Sequence, residues 1–260
     1  MIPPEVLEPI RDAPRNAGLF VDFDGVVAEI VATHDRARPR PAVPDLLARL
    51  STRLGRVAVV SGRPVSYLTA WLPDEIDLVG LYGLEARTDG RHETWPEAEA
   101  WRATMSVAAE AATARFTADS VEPKGLSLTV HYRDRDETGP EVERWAEERA
   151  RETGLDVRHA RKSVELHPPV DRDKGTAVIE LAAGLDSVVF MGDDIGDLPA
   201  FDALDHLATS GVSTLRVGVE SSESPPDLLT RADLIVPGPE GAEQFLRTLL
   251  ESLATAPKRS

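Results

Sequence analysis

Short apolar runs alternate with amphipathic segments over the first 95 residues of the chain. One amphipathic segment, VPDLLARLSTRLG, carries leucines at helical spacing and ends at Gly55, which predicts a helix with a glycine stop. A second helix is predicted in RPVSYLTAWL. The apolar runs between these segments predict strands in LFVDF, RVAVVSG and IDLVGLYG. Strands that alternate with helices in this order are typical of a parallel sheet covered by helices.

The pattern changes after Trp95. EAEAWRATMSVAAEAATARF predicts a long helix, and GLSLTVHYR alternates apolar and polar residues as a half-buried antiparallel strand does. A charged helix and two short strands follow, and the first pattern returns from Asp173. The chain therefore predicts an α/β protein with a Rossmann-like parallel-sheet core, residues 1–95 and 171–260, and a smaller inserted α+β domain, residues 96–170.

Composition and charge narrow the classes of function. The chain has 260 residues, of which 42% are hydrophobic and 28% charged, as in an ordinary globular protein. A net charge of −16 argues against a nucleic-acid or anionic-membrane partner, although a local site can still bind a small anion. No cysteine is available for a disulfide, a thiolate metal site or a nucleophile. We expect a cytoplasmic protein, since neither a secretory signal nor a membrane-spanning segment is evident.

Polar residues recur where predicted core strands end. They are Asp22 and Asp24 after LFV, Ser61 after VAVV, Lys174 at the head of a helix, and Asp193 and Asp194 after VVFMG. In open α/β sheets the ligand crevice lies outside the carboxyl ends of the strands, so we expect these side chains to converge.

Each of these motifs also has an ordinary structural explanation. DFDG can form a turn in which aspartate bonds to the backbone. Ser61 in SGRP can cap a helix, which is the commoner role of such a serine. Lys174 can be a solvated surface lysine, and GDDIGD a solvated acidic loop, although it lacks the glutamate that an EF-hand requires. Taken singly, the motifs leave these alternatives open.

Taken together and in this order, the residues resemble the motifs of the haloacid-dehalogenase-like phosphatase superfamily. That pattern is Asp-x-Asp-x-Thr/Val, then Ser or Thr, then Lys, then an acidic pair, and Val26 fits the permissive position. The resemblance implies hydrolysis of a phosphate monoester through an aspartyl phosphate, which divides one very slow reaction into two easier steps. It also implies Mg²⁺, which suits a pocket rich in carboxylates and binds substrate phosphate.

The same resemblance implies a role for each site residue. Asp22 would be the nucleophile and a metal ligand, and Asp24 the general acid and base, with its backbone carbonyl toward the metal. Lys174 would neutralise charge during phosphoryl transfer, and Asp193 would be the third metal ligand. Phosphate would be bound by Ser61, Gly62 and Arg63. Asp194 and Asp197 would support the metal ion or orient Lys174.

From about residue 18 to 250 the chain resembles the trehalose-6-phosphate phosphatase family in particular. The matching segments are DFDGVVAEIV, VVSGRP, GLYGLE, EPKGLSLTVHYR, RKSVELHPP, DKGTAV and GDDIGDLPAF. The resemblance implies trehalose 6-phosphate as the substrate and the inserted domain as a cap. It implies sugar binding by Glu122, Lys124, Arg133 and Glu165. The chain departs from the family at Val26, at Gly196 and Leu198 in the acidic loop, and at Tyr82, where a histidine is common.

Other interpretations remain at this point. Strand-end charges such as Glu122 and Lys124 are most often simply solvated. A sucrose-phosphate phosphatase or a phosphomannomutase would share the core residues, and a sugar-phosphate sensor would need no catalysis. Asp22 and Asp24 together argue against the sensor, because binding alone does not need a nucleophile. We expect a monomer or a dimer with a small-molecule substrate.

Overall fold

The computed structural model describes residues 3–31, 34–132, 135–160, 162–222 and 224–255. The chain divides into two compact units. The first unit consists of Met1–Ile30, Ala37–Glu93 and Arg172–Ser260, and the second of Val31–Arg36 and Thr94–Asp171. None of the helices in the described ranges combines the length and the apolar character that crossing a membrane requires.

The secondary structure of the described residues follows the chain in this order. The strands are β1 Ala17–Val21, β2 Arg56–Val60, β3 Asp77–Gly80, β4 Glu85–Thr88, β5 Arg91–Thr94, β6 Val121–Pro123, β7 Leu128–His131, β8 Asp156–Ala160, β9 Ser163–His167, β10 Ser187–Gly192, β11 Ser213–Glu220 and β12 Leu234–Pro237. The helices are α1 Glu8–Asp12, α2 Val43–Ser51, α3 Val65–Thr69, α4 Pro96–Glu99, α5 Arg102–Arg115, α6 Gly139–Thr153, α7 Lys174–Leu181, α8 Leu198–Thr209, α9 Pro226–Arg231 and α10 Gly238–Thr255.

An eight-stranded sheet in the order β12-β11-β10-β1-β2-β3-β4-β5 forms the centre of the first unit. The strands from β12 to β3 pair in parallel, and β4 pairs with β3 in antiparallel orientation. Every residue of β1 is buried, which explains its uninterrupted apolar sequence. Because β1 pairs with both β2 and β10, the residues that follow these three strands meet at one edge. This architecture confirms the predicted parallel α/β core.

One apolar cluster of the first unit lies between the sheet and the helices α7 and α8. Phe20 of β1, Phe190 of β10 and Phe201 of α8 are fully buried in it, and the rings of Phe190 and Phe201 meet edge to face at 6.3 Å. Gly175 lets α7 approach α8 closely, since a Cβ there would lie 2.4 Å from the carbonyl oxygen of Pro199. The start of α7 is thereby fixed next to the loop that follows β10.

The second unit contains a four-stranded antiparallel sheet in the order β6-β7-β9-β8. One face packs against α5 and α6 through apolar side chains such as Val130, Val164, Met105 and Trp145. The residues between them in sequence point to the opposite face, which is therefore polar. This sheet confirms the antiparallel strand predicted in GLSLTVHYR.

Several elements differ from the sequence prediction. The alanine-rich segment forms two helices, α4 and α5, and α3 is shorter than predicted. The β4–β5 hairpin and α8 were not predicted. Asp89 and Gly90 join β4 to β5 with φ of 50° and 73°, and an Asp-Gly pair is a strong signal for such a turn.

The close approach of α7 and α8 makes Gly175 a test of the core. Gly175→Ala should destabilise the protein by ~1–3 kcal/mol, because the added methyl group forces the two helices apart. For a protein of this size that corresponds to a Tm decrease of about 2–10 °C in a thermal melt. An unchanged Tm would show that α7 and α8 can separate at no cost.

Candidate active site

Lys174 occupies the centre of the polar cluster at the carboxyl edge of the sheet. Its Nζ lies 2.9 Å from Asp22 Oδ1 and 2.7 Å from Asp197 Oδ1. Lys174 is only 2% exposed and Asp197 is fully buried. Burial lowers the pKa of Lys174, but Asp197, Asp22 and other nearby groups together outweigh burial and raise the pKa, so the ammonium stays charged. The solvated-lysine interpretation is therefore wrong.

The local sequence fixes Lys174 as the first residue of α7. The Asp173 carboxylate accepts a hydrogen bond from Thr176 N, and the Thr176 hydroxyl accepts one from Asp173 N, which is a capping box. Just before it, Arg172 donates to Gly83 O at 2.8 Å and forms a bidentate pair with Glu180. A cation at a helix N-terminus opposes the helix dipole, so the carboxylates must hold Lys174 in place.

Asp197 organises the loop after β10. Its Oδ2 accepts hydrogen bonds from Asp193 N at 2.9 Å and Asp194 N at 3.2 Å, while its Oδ1 binds Lys174. Asp194 in turn accepts from Gly196 N. Both oxygens of Asp197 are thus engaged, and the loop is ordered rather than simply solvated. Asp197 thus contacts both Lys174 and the loop, and the supporting role that the resemblance implies for it stays a prediction.

Three carboxylates at this edge could hold a metal ion. One oxygen each from Asp22, Asp193 and Asp197 lies within 4.8 Å of the others. Burial and the neighbouring aspartates raise the pKa of Asp193 to about 10, and burial also raises the pKa of Asp22. Gly25 makes room for this arrangement, because a Cβ there would lie 2.1 Å from Asp193 Oδ2. A crowded set of hard oxygen donors fits Mg²⁺, which would relieve their mutual repulsion.

Asp24 lies outside this group of three carboxylates. Its two oxygens accept hydrogen bonds from Arg63 Nε at 2.7 Å and Arg63 Nη2 at 2.8 Å. The Arg63 guanidinium also stacks over the ring of Tyr67, 4.7 Å from its centroid. The structure therefore brings Arg63, which the sequence assigned to phosphate, to the proposed acid–base residue.

Ser61 does not cap the helix that follows it. Its Oγ accepts a hydrogen bond from Arg63 N at 3.2 Å, and α3 begins only at Val65. Val65 N donates instead to the Glu85 carboxylate at 2.6 Å. The N-cap interpretation of Ser61 is wrong, and Ser61 is held, buried, directly after β2.

Tyr82 lies beside these groups in an unusual backbone conformation. Leu81 and Tyr82 both have positive φ, 52° and 58°, which is rare for large side chains. A Cβ on Gly62 would lie 2.6 Å from the Tyr82 hydroxyl oxygen, and Lys174 Nζ is 5.9 Å from the ring centroid. Sequence reasoning noted Tyr82 as a departure from the family and gave no signal of its position. Glu85 and Tyr67 were missed as well.

In the second unit, three of the four residues assigned to the sugar lie together. Lys124 Nζ is 3.9 Å from Glu122 Oε2 and 3.6 Å from Glu165 Oε1. His131 Nε2 lies 2.9 Å from Glu122 Oε2, a contact that the sequence analysis did not anticipate. The fourth residue, Arg133, lies outside the described residues. The grouped charges are largely buried, unlike solvated strand-end residues.

Solved structures of other proteins share the fold of this chain. The chain is similar to a trehalose-6-phosphate phosphatase related protein, with a TM-score of 0.76 at 20% identity over 90% of this chain and 97% of that one. The C-terminal domain of a C. albicans trehalose-6-phosphate phosphatase gives 0.77 at 20% identity, over 95% and 96%. A haloacid-dehalogenase-like hydrolase from B. subtilis gives 0.54 at 14% identity, over 88% and 98%. The chain therefore has the fold of these proteins, the fold of a haloacid-dehalogenase-like hydrolase.

Sequence comparisons identify the family within this class. The trehalose-phosphatase family model matches residues 20–233. The trehalose-phosphate phosphatase of Mycobacterium avium is 34% identical over 93% of this chain and 64% of its own length. A probable trehalose-phosphate phosphatase of Sinorhizobium fredii is 31% identical over 80% of this chain and 81% of its own length. The chain belongs to the trehalose-phosphatase family, and it spans 64% of the length of the M. avium relative.

The raised pKa of Asp193 predicts an unusual dependence of stability on pH. Between the ordinary carboxyl value of 3.8 and about 10, folded metal-free protein holds a proton on Asp193 that the unfolded chain has released. The free energy of unfolding of metal-free protein should therefore fall as pH rises through this range. Asp193→Asn should weaken that fall and raise the Tm in chelator at pH 8 by roughly 2–10 °C, or ~1–3 kcal/mol.

Thermal melts with and without Mg²⁺ provide the control. Mg²⁺ should raise the Tm of the wild type, because binding to the folded state stabilises it, and should have little effect on Asp193→Asn. A wild-type Tm that rose with pH in chelator would contradict the interpretation.

Proposed function

We propose that this chain is a Mg²⁺-dependent phosphatase that hydrolyses trehalose 6-phosphate to trehalose and phosphate through an aspartyl phosphate on Asp22. The observation that carries the proposal is the buried Asp22–Lys174 pair at the end of β1, with Asp24 two residues further on. Family membership supports the substrate. The proposed enzyme acts on a small molecule in the cytoplasm, as a monomer or a dimer.

The reaction proceeds in two steps at phosphorus. A carboxylate oxygen of Asp22 attacks the phosphorus atom, the bond from phosphorus to the sugar oxygen breaks, and Asp24 donates a proton to that oxygen. Asp24 then takes a proton from a water molecule, which attacks the aspartyl phosphate and releases inorganic phosphate and free Asp22. Arg63 orients the Asp24 carboxylate by its bidentate contact.

Fixed charges support both steps. Lys174 remains a cation in a buried site and stabilises the negative charge that develops on the phosphoryl oxygens. Ser61 and Gly62 line the phosphate subsite after β2. Asp22, Asp193 and the carbonyl group of Asp24 would hold Mg²⁺, with Asp197 supporting them. Mg²⁺ bound there would neutralise the carboxylates and the substrate phosphate.

The second unit supplies the groups proposed to bind the sugar. Glu122, Lys124 and Glu165 lie within ion-pair distance, and charged groups form strong hydrogen bonds to sugar hydroxyls. Arg133 completes the proposed set. Binding energy from the sugar can then be used to align the phosphate for reaction.

The nucleophile is tested by substituting Asp22. Asp22→Asn should abolish phosphate release from both trehalose 6-phosphate and a small aryl phosphate, because the attacking charge is lost while the shape is retained.

Asp24→Asn is the matched variant. The Asp24→Asn variant should still react with the aryl phosphate, because that leaving group needs no proton. It should then accumulate phosphorylated Asp22, because Asn cannot take a proton from the attacking water, and mass spectrometry should detect this intermediate. Full activity in excess chelator, or phosphate on Asp24, would overturn the proposed mechanism.

The substrate is tested by substituting Glu122. Loss of a charged hydrogen-bond partner costs ~1–3 kcal/mol or more, so Glu122→Gln should lower kcat/KM for trehalose 6-phosphate by about ten- to a few hundred-fold. Hydrolysis of the aryl phosphate should hardly change, because it has no sugar.

Glu110→Gln, at an exposed position of α5, is the control and should alter neither activity. Equal losses on both substrates for Glu122→Gln would show that Glu122 has a structural role. No loss on either, or faster turnover of another sugar phosphate in a substrate panel, would contradict the trehalose assignment.

A further inference from the structure

A row of polar residues crosses the sheet of the second unit. Glu122 of β6 pairs in register with Thr129 of β7, and Thr129 pairs with Glu165 of β9. Residues that pair in this way share one face of an antiparallel sheet. Thr129 therefore lies between the two glutamates, on the face opposite the apolar cluster that contains Val130 and Val164.

The Thr129 hydroxyl has no hydrogen-bond partner among the described residues, although it is buried. Thr129 is 4% exposed, and its Oγ1 is buried without a partner. Oε1 of Glu165 on the same face and the hydroxyl of Ser127, just before β7, are likewise buried without a hydrogen-bond partner among the described residues. Glu165 Oε1 lies 3.6 Å from Lys124 Nζ. Buried polar atoms are nearly always hydrogen-bonded, because leaving one unsatisfied costs free energy.

Packing does not require a hydroxyl at this position. Valine has almost the same shape as threonine and is at least as favourable in a strand. On stability alone the chain would gain by carrying valine at residue 129. An unsatisfied hydroxyl in the middle of a charged row is better explained by a partner that arrives with a ligand.

The charges around Thr129 indicate the chemistry of that ligand. Glu122 and Glu165 accept hydrogen bonds, Lys124 donates them, and a threonine hydroxyl can do both. A simple anion would be repelled by the two carboxylates, and a simple cation by the ammonium. A neutral polyol fits, because each of its hydroxyl groups both donates and accepts.

We propose that Thr129 is a further specificity-determining residue, whose hydroxyl binds a sugar hydroxyl of the substrate between Glu122 and Glu165. The inference rests on the proposed function and adds to it a group that recognises the sugar without bearing charge. It predicts opposite effects of one substitution on sugar binding and on stability.

The test compares Thr129→Val, Thr129→Ser and wild type in the complete chain. Thr129→Val should weaken trehalose binding, measured by calorimetry, and lower kcat/KM for trehalose 6-phosphate, each by about 5- to 100-fold. Its activity on an aryl phosphate should be unchanged and its Tm equal or higher. Thr129→Ser, which restores the hydroxyl, should recover most of the binding.

Ser187→Ala is the matched control. Ser187 also buries a hydroxyl without a partner among the described residues, but it lies at the start of β10, at the opposite end of that strand from Asp193. This variant should raise the Tm or leave it unchanged and should leave sugar binding unaltered.

The outcomes separate the inference from the proposed function. If wild type hydrolyses trehalose 6-phosphate and Thr129→Val binds and turns it over equally well, the inference is wrong and the function stands. If Thr129→Val lowers the Tm and both activities together, the hydroxyl is structural and the inference is again wrong. If wild type hydrolyses a different sugar phosphate, the trehalose assignment is wrong, and the same comparison with that sugar decides the role of Thr129.

Discussion

The buried contact of Lys174 with Asp22 and Asp197 is the constraint on which the site depends. An ammonium group without its carboxylates would not remain charged at this depth, and the carboxylates would repel each other without it. This contact among three side chains therefore connects the end of β1, the loop that follows β10 and the start of α7. Such a cluster stabilises the fold little, because desolvation offsets much of the attraction, and its main result is a fixed positive charge in a buried position.

Much of the fold could be predicted because it follows local rules. The alternation of apolar runs and amphipathic helices gave the parallel sheet, and the period-two pattern around Val130 gave the antiparallel one. The elements that were missed are short or ambiguous. The β4–β5 hairpin carries few apolar residues, although Asp89 and Gly90 marked its turn, and the split between α4 and α5 leaves little trace in an alanine-rich segment.

The convergence of polar residues at one edge of the sheet could be predicted from the sequence, whereas most of the contacts among them could not. Asp22 and Ser61 follow the neighbouring parallel strands β1 and β2, whose carboxyl ends lie at one edge. Lys174, at the start of α7, joins them there through its contact with Asp22. The pairing of Arg63 with Asp24 depends on side chains 39 residues apart, which no local pattern records. The backbone of Tyr82 has a positive φ, which large side chains rarely adopt, so local sequence preference could not predict it. Such exceptions to local preference are expected at functional or strained positions.

Arg172 and Asp173 have a mechanical consequence. They are the first residues of the first unit after the chain leaves the second unit, and Lys174 follows directly. Arg172 is tied to Gly83 and Glu180, and Asp173 is locked to Thr176. A displacement that reaches residue 171 along the backbone must therefore strain two sets of bonds before it can shift the ammonium. Because Gly83, Glu180 and Thr176 all belong to the first unit, these bonds fix the start of α7 from within that unit, and changes of sequence in the second unit leave them in place.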